Sequence, residues 1–245
     1  MKLATALRLP SRPCLALVGA GGKTTALFQL ARELEPPVIV TATTHMAVSQ
    51  VPLADQHILA EALADLDALE RRIPAGVTLI TGPLEGNRTT GLSKEQVGRL
   101  HEICLKHSLP LLIEADGARR RPLKAPAGYE PPIPEFVTTV VVLAGLSALG
   151  QPLSDQVVHR PEIFSRLTGL PSGAEITLEA LCRVLTHLEG GLKNIPAGAR
   201  RIALLNQAET PEAGARARAL AEKLLPAYSS VVIASLQSAA VLAVF

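Results

Sequence analysis

The chain has 245 residues, of which 48% are apolar, 2% are aromatic and none is Trp, and its formal net charge is +2. So few rings exclude a base-stacking platform for single-stranded nucleic acid, and so small a charge does not indicate a polyanionic partner. We therefore expect no nucleic-acid partner. The apolar fraction is enough for one α/β core built from aliphatic side chains.

The amino-terminal residues and the cysteines bear on where the protein works. The opening residues MKLATALRLPSRP carry no cleavable secretory signal, and the longest apolar run, Val140–Leu149, is about half of a membrane span. Cys14, Cys104 and Cys182 have no metal-binding or redox spacing, as in proteins of a reducing compartment. We expect a cytoplasmic protein with no membrane partner.

Short apolar runs alternate with helical patterns through the first half of the chain. The predicted strands there are Cys14–Gly19, Val38–Thr43, Val77–Gly82 and Leu109–Gly117. The predicted helices between them are Lys23–Leu34, Ile58–Arg72 and Lys94–His107. This alternation is typical of a mostly parallel sheet flanked by helices.

The second half continues the alternation after a proline-rich loop, Pro122–Pro134, whose length and stiffness favour a functional role. The predicted strands are Val137–Gly145, Arg201–Gln207 and Val231–Ser235, and the predicted helices are Pro161–Leu170, Leu178–Leu188 and Pro211–Leu225. Residues 151–198 contain helices and no convincing strand. We expect a single α/β domain over 1–245, with a small helical appendage at 151–198.

The stretch LVGAGGKTT, from Leu17 to Thr25, joins a predicted strand to a predicted helix through a glycine-rich turn. Backbone N–H groups of such a turn and the helix amino terminus bind phosphate, and a Lys at its end reaches the terminal phosphates. A hydroxyl directly after that Lys is the expected Mg²⁺ ligand, which is Thr24 here, and Lys23 is predicted to be catalytic. The predicted nucleotide-binding residues are Gly19, Ala20, Gly21, Gly22, Lys23, Thr24 and Thr25.

The turn is shorter than the standard P-loop pattern, which requires Gly at the position of Leu17. It resembles the Gly-Thr-x-Gly-Lys-Thr-Thr loop of Mur ligases and folylpolyglutamate synthases. We therefore predict a P-loop NTPase-like fold, with Mg²⁺ and either ATP or GTP as cofactors. A tight structural turn with a solvated Lys is the alternative.

Two acids end the predicted strand LLIEADG. Glu114 and Asp116 are two residues apart, so an extended chain places both on one side. An acid at this position holds Mg²⁺ or one of its waters in P-loop proteins. We expect both to be catalytic and Asp116 to be a metal ligand. A charged, solvated strand end is the alternative.

The segment TATTHM ends the second predicted strand. Ligands of an open parallel sheet bind beyond the carboxyl ends of its strands, so Thr43, Thr44 and His45 are expected near the γ-phosphate or a second substrate. We take Thr44 and His45 as candidate substrate-binding residues. A β-prone Thr cluster with a surface His is an equally good interpretation.

A run of basic residues follows the two acids directly. Arg119, Arg120, Arg121 and Lys124 stand beside the presumed phosphates, and Arg forks suit phosphate or carboxylate groups. We predict that Arg119 and Lys124 bind the second substrate. An ordinary exposed basic loop is the alternative.

The segment LLNQAE follows a late strand and resembles the Asn-Lys-x-Asp base-reading motif of GTPases. Gln207 stands for its Lys and Glu209 for its Asp. We expect Asn206 to contact the nucleotide, while the two departures leave guanine selectivity open.

Together these motifs resemble the YqeC-type family of accessory proteins for selenium-dependent hydroxylases. The resemblance rests on VGAGGKTT, TATTHM and EADGARRRPLKAPAGYEPPIP, and it extends through VHRPEIF and LLNQAE, so it spans nearly the whole chain. It implies a role in maturing selenium-dependent molybdenum hydroxylases, with the hydroxylase or its cofactor as partner. It also implies that His159 and Arg160 lie near the site. From the residues alone, these two could equally be the edge of a helix starting at Pro161.

Three functions stay open from the sequence. The first is a maturation factor that hydrolyses a nucleoside triphosphate, since in-line phosphoryl transfer needs the positioning, Mg²⁺ and positive charge described above. The second is an ATP-dependent small-molecule kinase or Mur-like ligase. The third is a non-enzymatic, nucleotide-dependent switch that docks on a hydroxylase or a cofactor carrier. The acceptor, the strand order and the oligomeric state are not specified by the residues.

Overall fold

The fold, described by a computed structural model of residues 1–245, centres on one large sheet. Its strands are β1 (Cys14–Gly19), β2 (Val38–Ala42), β4 (Gln56–Leu59), β5 (Val77–Thr81), β8 (Leu111–Glu114), β10 (Thr139–Gly145), β12 (Arg200–Asn206), β13 (Ser230–Ser235) and β14 (Ala240–Val244). Their order is β14-β13-β12-β10-β1-β8-β2-β5-β4, and every neighbouring pair is parallel except β13 with β14. The predicted α/β class with a mostly parallel sheet is confirmed.

Helices cover both faces of this sheet. They are α1 (Leu3–Ala6), α2 (Lys23–Glu33), α3 (Leu63–Arg71), α4 (Lys94–Lys106), α5 (Pro161–Thr168), α6 (Leu178–Thr186) and α7 (Pro211–Leu224). The apolar residues of α1 and α2 pack on one face, and those of α3 to α7 pack on the other. The strands between the two edge strands are buried on both faces, which explains why they read as mostly apolar runs.

Five two-residue strands form two small additional sheets. They are β3 (Met46–Ala47), β6 (Leu84–Glu85), β7 (Arg88–Thr89), β9 (Leu123–Lys124) and β11 (Val158–His159). The first three make an antiparallel unit, and β9 pairs with β11 in parallel. The pairing of β9 with β11 fastens the proline-rich loop to the chain that precedes α5.

Two edge strands differ from the sequence prediction. Residues 58–72 were expected to form one helix, yet Gln56–Leu59 is strand β4 and the helix begins only at Leu63. Strand β14 was not predicted at all. Both lie at the edges of the sheet and are only partly buried. Strand β4 lacks the continuous apolar run that marks the central strands, whereas β14 has such a run, AVLAV, which was not assigned to a strand.

Residues 151–198 hold α5, α6 and the short strand β11, which the sequence did not reveal. Phe164 of α5 and Leu181 of α6 belong to the same apolar core as the strands β10 and β12. The helices of this segment therefore share the apolar core of the main sheet.

The register of the parallel strands brings their carboxyl ends together along one side of the sheet, which is called here the carboxyl edge. Gly19 of β1 lies beside Leu143 of β10, and Leu17 lies beside Glu114 of β8. Gly145 of β10 in turn pairs with Asn206 of β12. This edge carries the candidate site.

None of the helices has the length and apolar character that crossing a membrane requires.

Candidate functional site

The loop between β1 and α2 adopts a backbone that only glycine accommodates. Gly19, Gly21 and Gly22 have φ angles of 91°, 81° and 122°. A Cβ atom on Gly19 would lie 2.3 Å from the carbonyl oxygen of Leu143, so the neighbouring strand excludes any side chain there. The glycines are thus required by backbone conformation and by close packing on β10.

Backbone and side-chain bonds hold this loop in place. Ala20 N–H donates to the Leu143 carbonyl at 3.0 Å, and Gly21 N–H donates to that of Arg121 at 3.2 Å. The buried Asn206 amide donates to the Gly21 carbonyl at 2.7 Å and accepts from Leu236 N–H at 2.9 Å. Asn206 was expected to contact the nucleobase. In the structure it bonds to the glycine loop from inside the protein and holds the loop in place.

The Lys23 side chain folds back over the loop at the start of α2. Its Nζ donates to the Gly19 carbonyl at 2.7 Å and lies 3.1 Å from Asp116 Oδ1, and the side chain is 4% exposed. The two residues that follow differ in exposure: Thr24 is partly buried, whereas Thr25 is exposed. Lys23 and Thr24 therefore line the inner side of the turn.

The two acids of LLIEADG contact different partners on this loop. Thr24 Oγ1 donates to Glu114 Oε2 at 2.8 Å, and burial raises the pKa of Glu114. Asp116 Oδ2 instead accepts from Gly19 N–H at 3.1 Å and lies 2.9 Å from Lys124 Nζ. The structure thus joins the predicted metal ligand Thr24 to Glu114, whereas Asp116 is engaged by Lys23 and Lys124.

A hydroxyl and a carboxylate side by side fit a magnesium ion. Mg²⁺ prefers oxygen ligands, and it is commonly held by one or two protein oxygens together with phosphate oxygens and waters. Thr24 and Glu114 supply such a pair. No group of three or more His, Cys, Asp or Glu residues is arranged to hold a metal ion.

A chain of alternating charges runs inward from Lys23 through Asp116. Lys124 Nζ lies 2.9 Å from both Asp116 Oδ2 and Glu130 Oε2, and Arg160 Nη1 lies 2.5 Å from Glu130 Oε2. The Lys124 side chain is 1% exposed. This series of ion pairs therefore connects the glycine loop to the beginning of α5.

Lys124 does not face a second substrate as the sequence suggested. Its Nζ also donates to the Gly117 carbonyl at 2.7 Å, so three protein oxygens lie within 2.9 Å of it. An ammonium has three N–H donors, and these oxygens account for all of them. Because the side chain is buried and its donors are used, Lys124 fastens the loop internally.

Glu130 is a site residue that the sequence interpretation missed. It binds Lys124 and Arg160 at once, and its exposure is 7%. It is the sole acid in the basic segment Gly117–Pro134. A single acid among basic residues could have indicated an ion pair, because a buried cation needs a carboxylate partner.

His159 and Arg160 do lie beside the charged chain. His159 pairs with Lys124 in the small parallel sheet, and Ala125 N–H donates to its carbonyl at 3.1 Å. Burial, together with the positive charges of Arg160 and Lys124, lowers the pKa of His159 to about 4. Its imidazole is therefore neutral at physiological pH. Arg160 also donates to the hydroxyl of the exposed Tyr129 at 3.3 Å.

The arginine run contacts the glycine loop through one backbone bond. Arg119 and Arg120 are exposed, Arg121 is partly buried, and their three guanidinium groups form no ion pair or hydrogen bond within the chain. Arg121 is anchored through its carbonyl, which accepts from Gly21 N–H. The run thus carries three guanidinium groups without a partner in the chain, on a segment whose backbone is bonded to the glycine loop.

The end of β2 contributes two hydroxyl groups. Thr43 N–H donates to the Glu114 carbonyl at 3.0 Å, which places this segment next to Glu114. The hydroxyl oxygens of Thr43 and Thr44 are buried and have no hydrogen-bond partner. His45 is exposed, with its Nε2 3.4 Å from Glu85. Thr43 and Thr44 therefore have unused hydrogen-bonding capacity near Glu114, whereas His45 points to solvent.

Positive charge is concentrated at this edge of the sheet. The cationic side chains are Lys23, Arg119, Arg120, Arg121, Lys124 and Arg160, and the carboxylates are Glu114, Asp116 and Glu130. Six cations against three carboxylates give a formal local charge of +3, compared with +2 for the whole chain. The remainder of the molecule is therefore slightly negative, and the site favours an anionic ligand.

Comparisons with known proteins identify a family and one solved structure that aligns with this chain. The family model described as YqeC protein matches residues 15–162, which include the glycine loop, both acids and the basic run. The uncharacterized protein YqeC of Escherichia coli (strain K12) is 33% identical over 198 residues, covering 79% of this chain and 75% of the relative. Among solved structures, a ParA family ATPase from Chlorobium tepidum TLS aligns over 94% of this chain and 87% of its own, with 14% identity and a TM-score of 0.47. By its sequence, the chain belongs to the YqeC family.

Proposed function

We propose that the protein binds the Mg²⁺ complex of a nucleoside triphosphate on the loop from Gly19 to Thr25. The observation that carries this proposal is the glycine backbone fitted against β10, with Lys23 and the Thr24–Glu114 pair at its end. The N–H groups of Gly19, Ala20 and Gly21 are bonded within the protein, so phosphate would be bound by the N–H groups that follow, at the amino terminus of α2. The local charge of +3 supports an anionic ligand of this kind.

Each residue of the loop then has a defined task. Lys23 would leave Asp116 and the Gly19 carbonyl to contact the terminal phosphates, while Thr24 and Glu114 would hold Mg²⁺ or its water. When bound, the metal ion neutralises phosphate charge and orients the phosphoryl group. Asn206 keeps the loop in shape from below.

The reaction we favour is hydrolysis or transfer of the terminal phosphoryl group. Phosphoryl transfer depends on positioning and on positive charge near the equatorial oxygens, and Arg119, Arg120 and Arg121 offer free guanidinium groups for that charge. Thr43 and Thr44 offer unpaired hydroxyls on the Glu114 side. The arginines could instead bind an anionic small-molecule acceptor. In that case the phosphoryl group would pass to the acceptor rather than to water, as in a kinase or ligase.

We further propose that this activity serves the maturation of selenium-dependent molybdenum hydroxylases. The support for this role is the family resemblance of the segment from Glu114 to Pro134 and of the glycine loop. A nucleotide-dependent switch that docks on such a hydroxylase would use the same loop and would turn over only with its partner.

The proposed function is tested by calorimetry of ATP and GTP with and without Mg²⁺, with phosphate release followed in the same samples. We expect one nucleotide to bind, and Lys23→Ala to weaken binding by roughly 10- to 100-fold, since a hydrogen bond to a charged group contributes about 1.5–3 kcal/mol. Lys223→Ala, which removes an exposed lysine on α7, is the control and should bind normally.

The outcomes separate the competing functions. Failure of both nucleotides to bind at millimolar concentration would overturn the proposal. Nucleotide consumption without phosphate release, once an anionic acceptor is added, would identify a kinase. Hydrolysis that appears only with a purified hydroxylase would identify the switch.

A further inference from the structure

The lysine of the glycine loop shares its carboxylate with a second lysine. Asp116 lies between Lys23 and Lys124, and the side-chain exposures of the three residues are between 1% and 4%. A carboxylate this deeply buried needs a cation at hydrogen-bonding distance, because its removal from water is otherwise costly. Asp116 has two such cations.

The two contacts are not equivalent. Lys23 Nζ lies 3.1 Å from Oδ1, an oxygen that receives no hydrogen bond, whereas Oδ2 lies 2.9 Å from Lys124 Nζ and accepts from Gly19 N–H. Of the two lysines, only Lys23 belongs to the glycine loop. Its contact with Asp116 is therefore the one that a ligand can replace.

We propose that Lys124 is the counter-ion that lets Asp116 release Lys23 to the nucleotide. This inference rests on the proposed function and assigns Lys124 as a positioning residue, since its ammonium is saturated by protein oxygens and reaches no ligand. When Lys23 turns to the phosphates, Asp116 keeps Lys124. Without Lys124, the same movement would leave a buried carboxylate with no cation, and nucleotide affinity would fall.

The rest of the charged chain keeps Lys124 in position. Glu130 Oε2 lies 2.9 Å from its Nζ, and Arg160 in turn holds Glu130 at 2.5 Å. Lys193 donates to the Ala127 carbonyl of the same loop at 2.9 Å but does not contact Asp116. Lys193 is therefore a third buried lysine, outside the ion pairs of Asp116, and serves as a matched control.

The test is a double-variant cycle of Lys124→Met and Asp116→Asn, with affinities for Mg²⁺-ATP and Mg²⁺-GTP measured by calorimetry. We expect Lys124→Met to weaken binding by about tenfold or more in the wild-type background, and by less than about twofold when Asp116 is already Asn. A general loss of positive charge would weaken binding by the same factor in both backgrounds. Equal factors would therefore overturn the inference.

Two further variants keep the test decisive. Lys124→Arg preserves the charge and is expected to bind within about threefold of wild type, whereas Lys193→Met should leave affinity unchanged. If Lys124→Met does not fold, the comparison of Asp116→Asn with the double variant still applies, and a loss above about tenfold there would contradict the inference. Absence of nucleotide binding by wild type would overturn both proposals, whereas binding without coupling would overturn this one alone.

Discussion

At the scale of single residues, Glu114 combines a structural cost with a proposed metal role. Its carboxylate is partly buried at the end of β8 and accepts one hydrogen bond, from Thr24. Burial raises its pKa, which means that the folded protein disfavours the charged form. A cation beside it would relieve this penalty, as expected of a ligand to Mg²⁺.

The pH dependence of stability tests this account of Glu114. With a raised folded pKa, its contribution to stability is fully present below the ordinary Glu value of 4.5 and is lost as the pH rises towards the folded pKa. We expect Glu114→Gln to raise the thermal midpoint of the ligand-free protein at about pH 8, by about 2–4 °C for each kcal/mol recovered, and to change it little near pH 4.5.

The same substitution should lower the affinity for Mg²⁺ and make nucleotide binding depend less on the metal ion. Gln keeps an acceptor for Thr24 but loses the charge, so we expect the apparent affinity for Mg²⁺ to fall roughly 10- to 100-fold in calorimetric titrations with nucleotide present. A variant that is less stable at both pH values, or that retains full metal dependence, would contradict the role given to Glu114.

At the scale of elements, the glycine loop depends on strands that are distant in sequence. Its backbone packs on β10, and Asn206 at the end of β12 ties Gly21 to Leu236 beyond β13. Three segments therefore hold one loop. Because its glycines have little intrinsic preference for this conformation, the surrounding strands must impose it.

Asn206→Ala tests whether this tether serves binding as well as stability. The change leaves the Leu236 N–H and the Gly21 carbonyl without their buried partner, so we expect a loss of about 2–3 kcal/mol in the free energy of unfolding. We also expect nucleotide affinity to fall about tenfold, since the loop would be less preorganised.

Tyr228→Phe is the matched control for Asn206→Ala. It removes another buried bond to the backbone, from the Tyr228 hydroxyl to the Leu185 carbonyl at 2.6 Å, away from the loop. Urea denaturation should show a loss of about 1 kcal/mol with unchanged nucleotide affinity. If both variants bind nucleotide as wild type does, Asn206 has a structural role alone.

At the scale of the whole molecule, the notable property is where the charge lies. The net charge is small, yet the site edge has a formal charge of +3 and the remainder is slightly negative. Such an asymmetry attracts anions to one end of the molecule, and the attraction between exposed charges is screened by salt.

Ionic strength tests this asymmetry. At low salt we expect Arg119→Gln with Arg120→Gln to weaken Mg²⁺-nucleotide binding by about fivefold, and the difference to vanish near 1 M salt, where the Debye length is about 3 Å. Arg71→Gln with Arg72→Gln removes the same charge at the carboxyl end of α3 and is the control. Equal effects of the two pairs would show that charge location is unimportant.

The central sheet was predictable from the chain because its strands are buried on both faces. Short, mostly apolar runs rich in β-branched residues, such as Val38–Ala42 and Thr139–Gly145, are typical of strands in a covered parallel sheet. The edge strand β4 was not predictable, since its partly exposed residues lack such a run and its pairing depends on the neighbouring strand. The apolar run of β14 was present in the sequence and was missed.

For the site, the sequence by itself determined the glycine turn, Lys23, Thr24 and the two acids, because local backbone chemistry requires those residue types in that order. Only the tertiary structure decided which acid meets Thr24, that Lys124 is buried, and that Asn206 supports the loop from below. Glu130 and Arg160 are 30 residues apart and became partners through folding. Ion pairs of this kind depend on distances between separate segments, and a linear pattern of charges does not contain those distances.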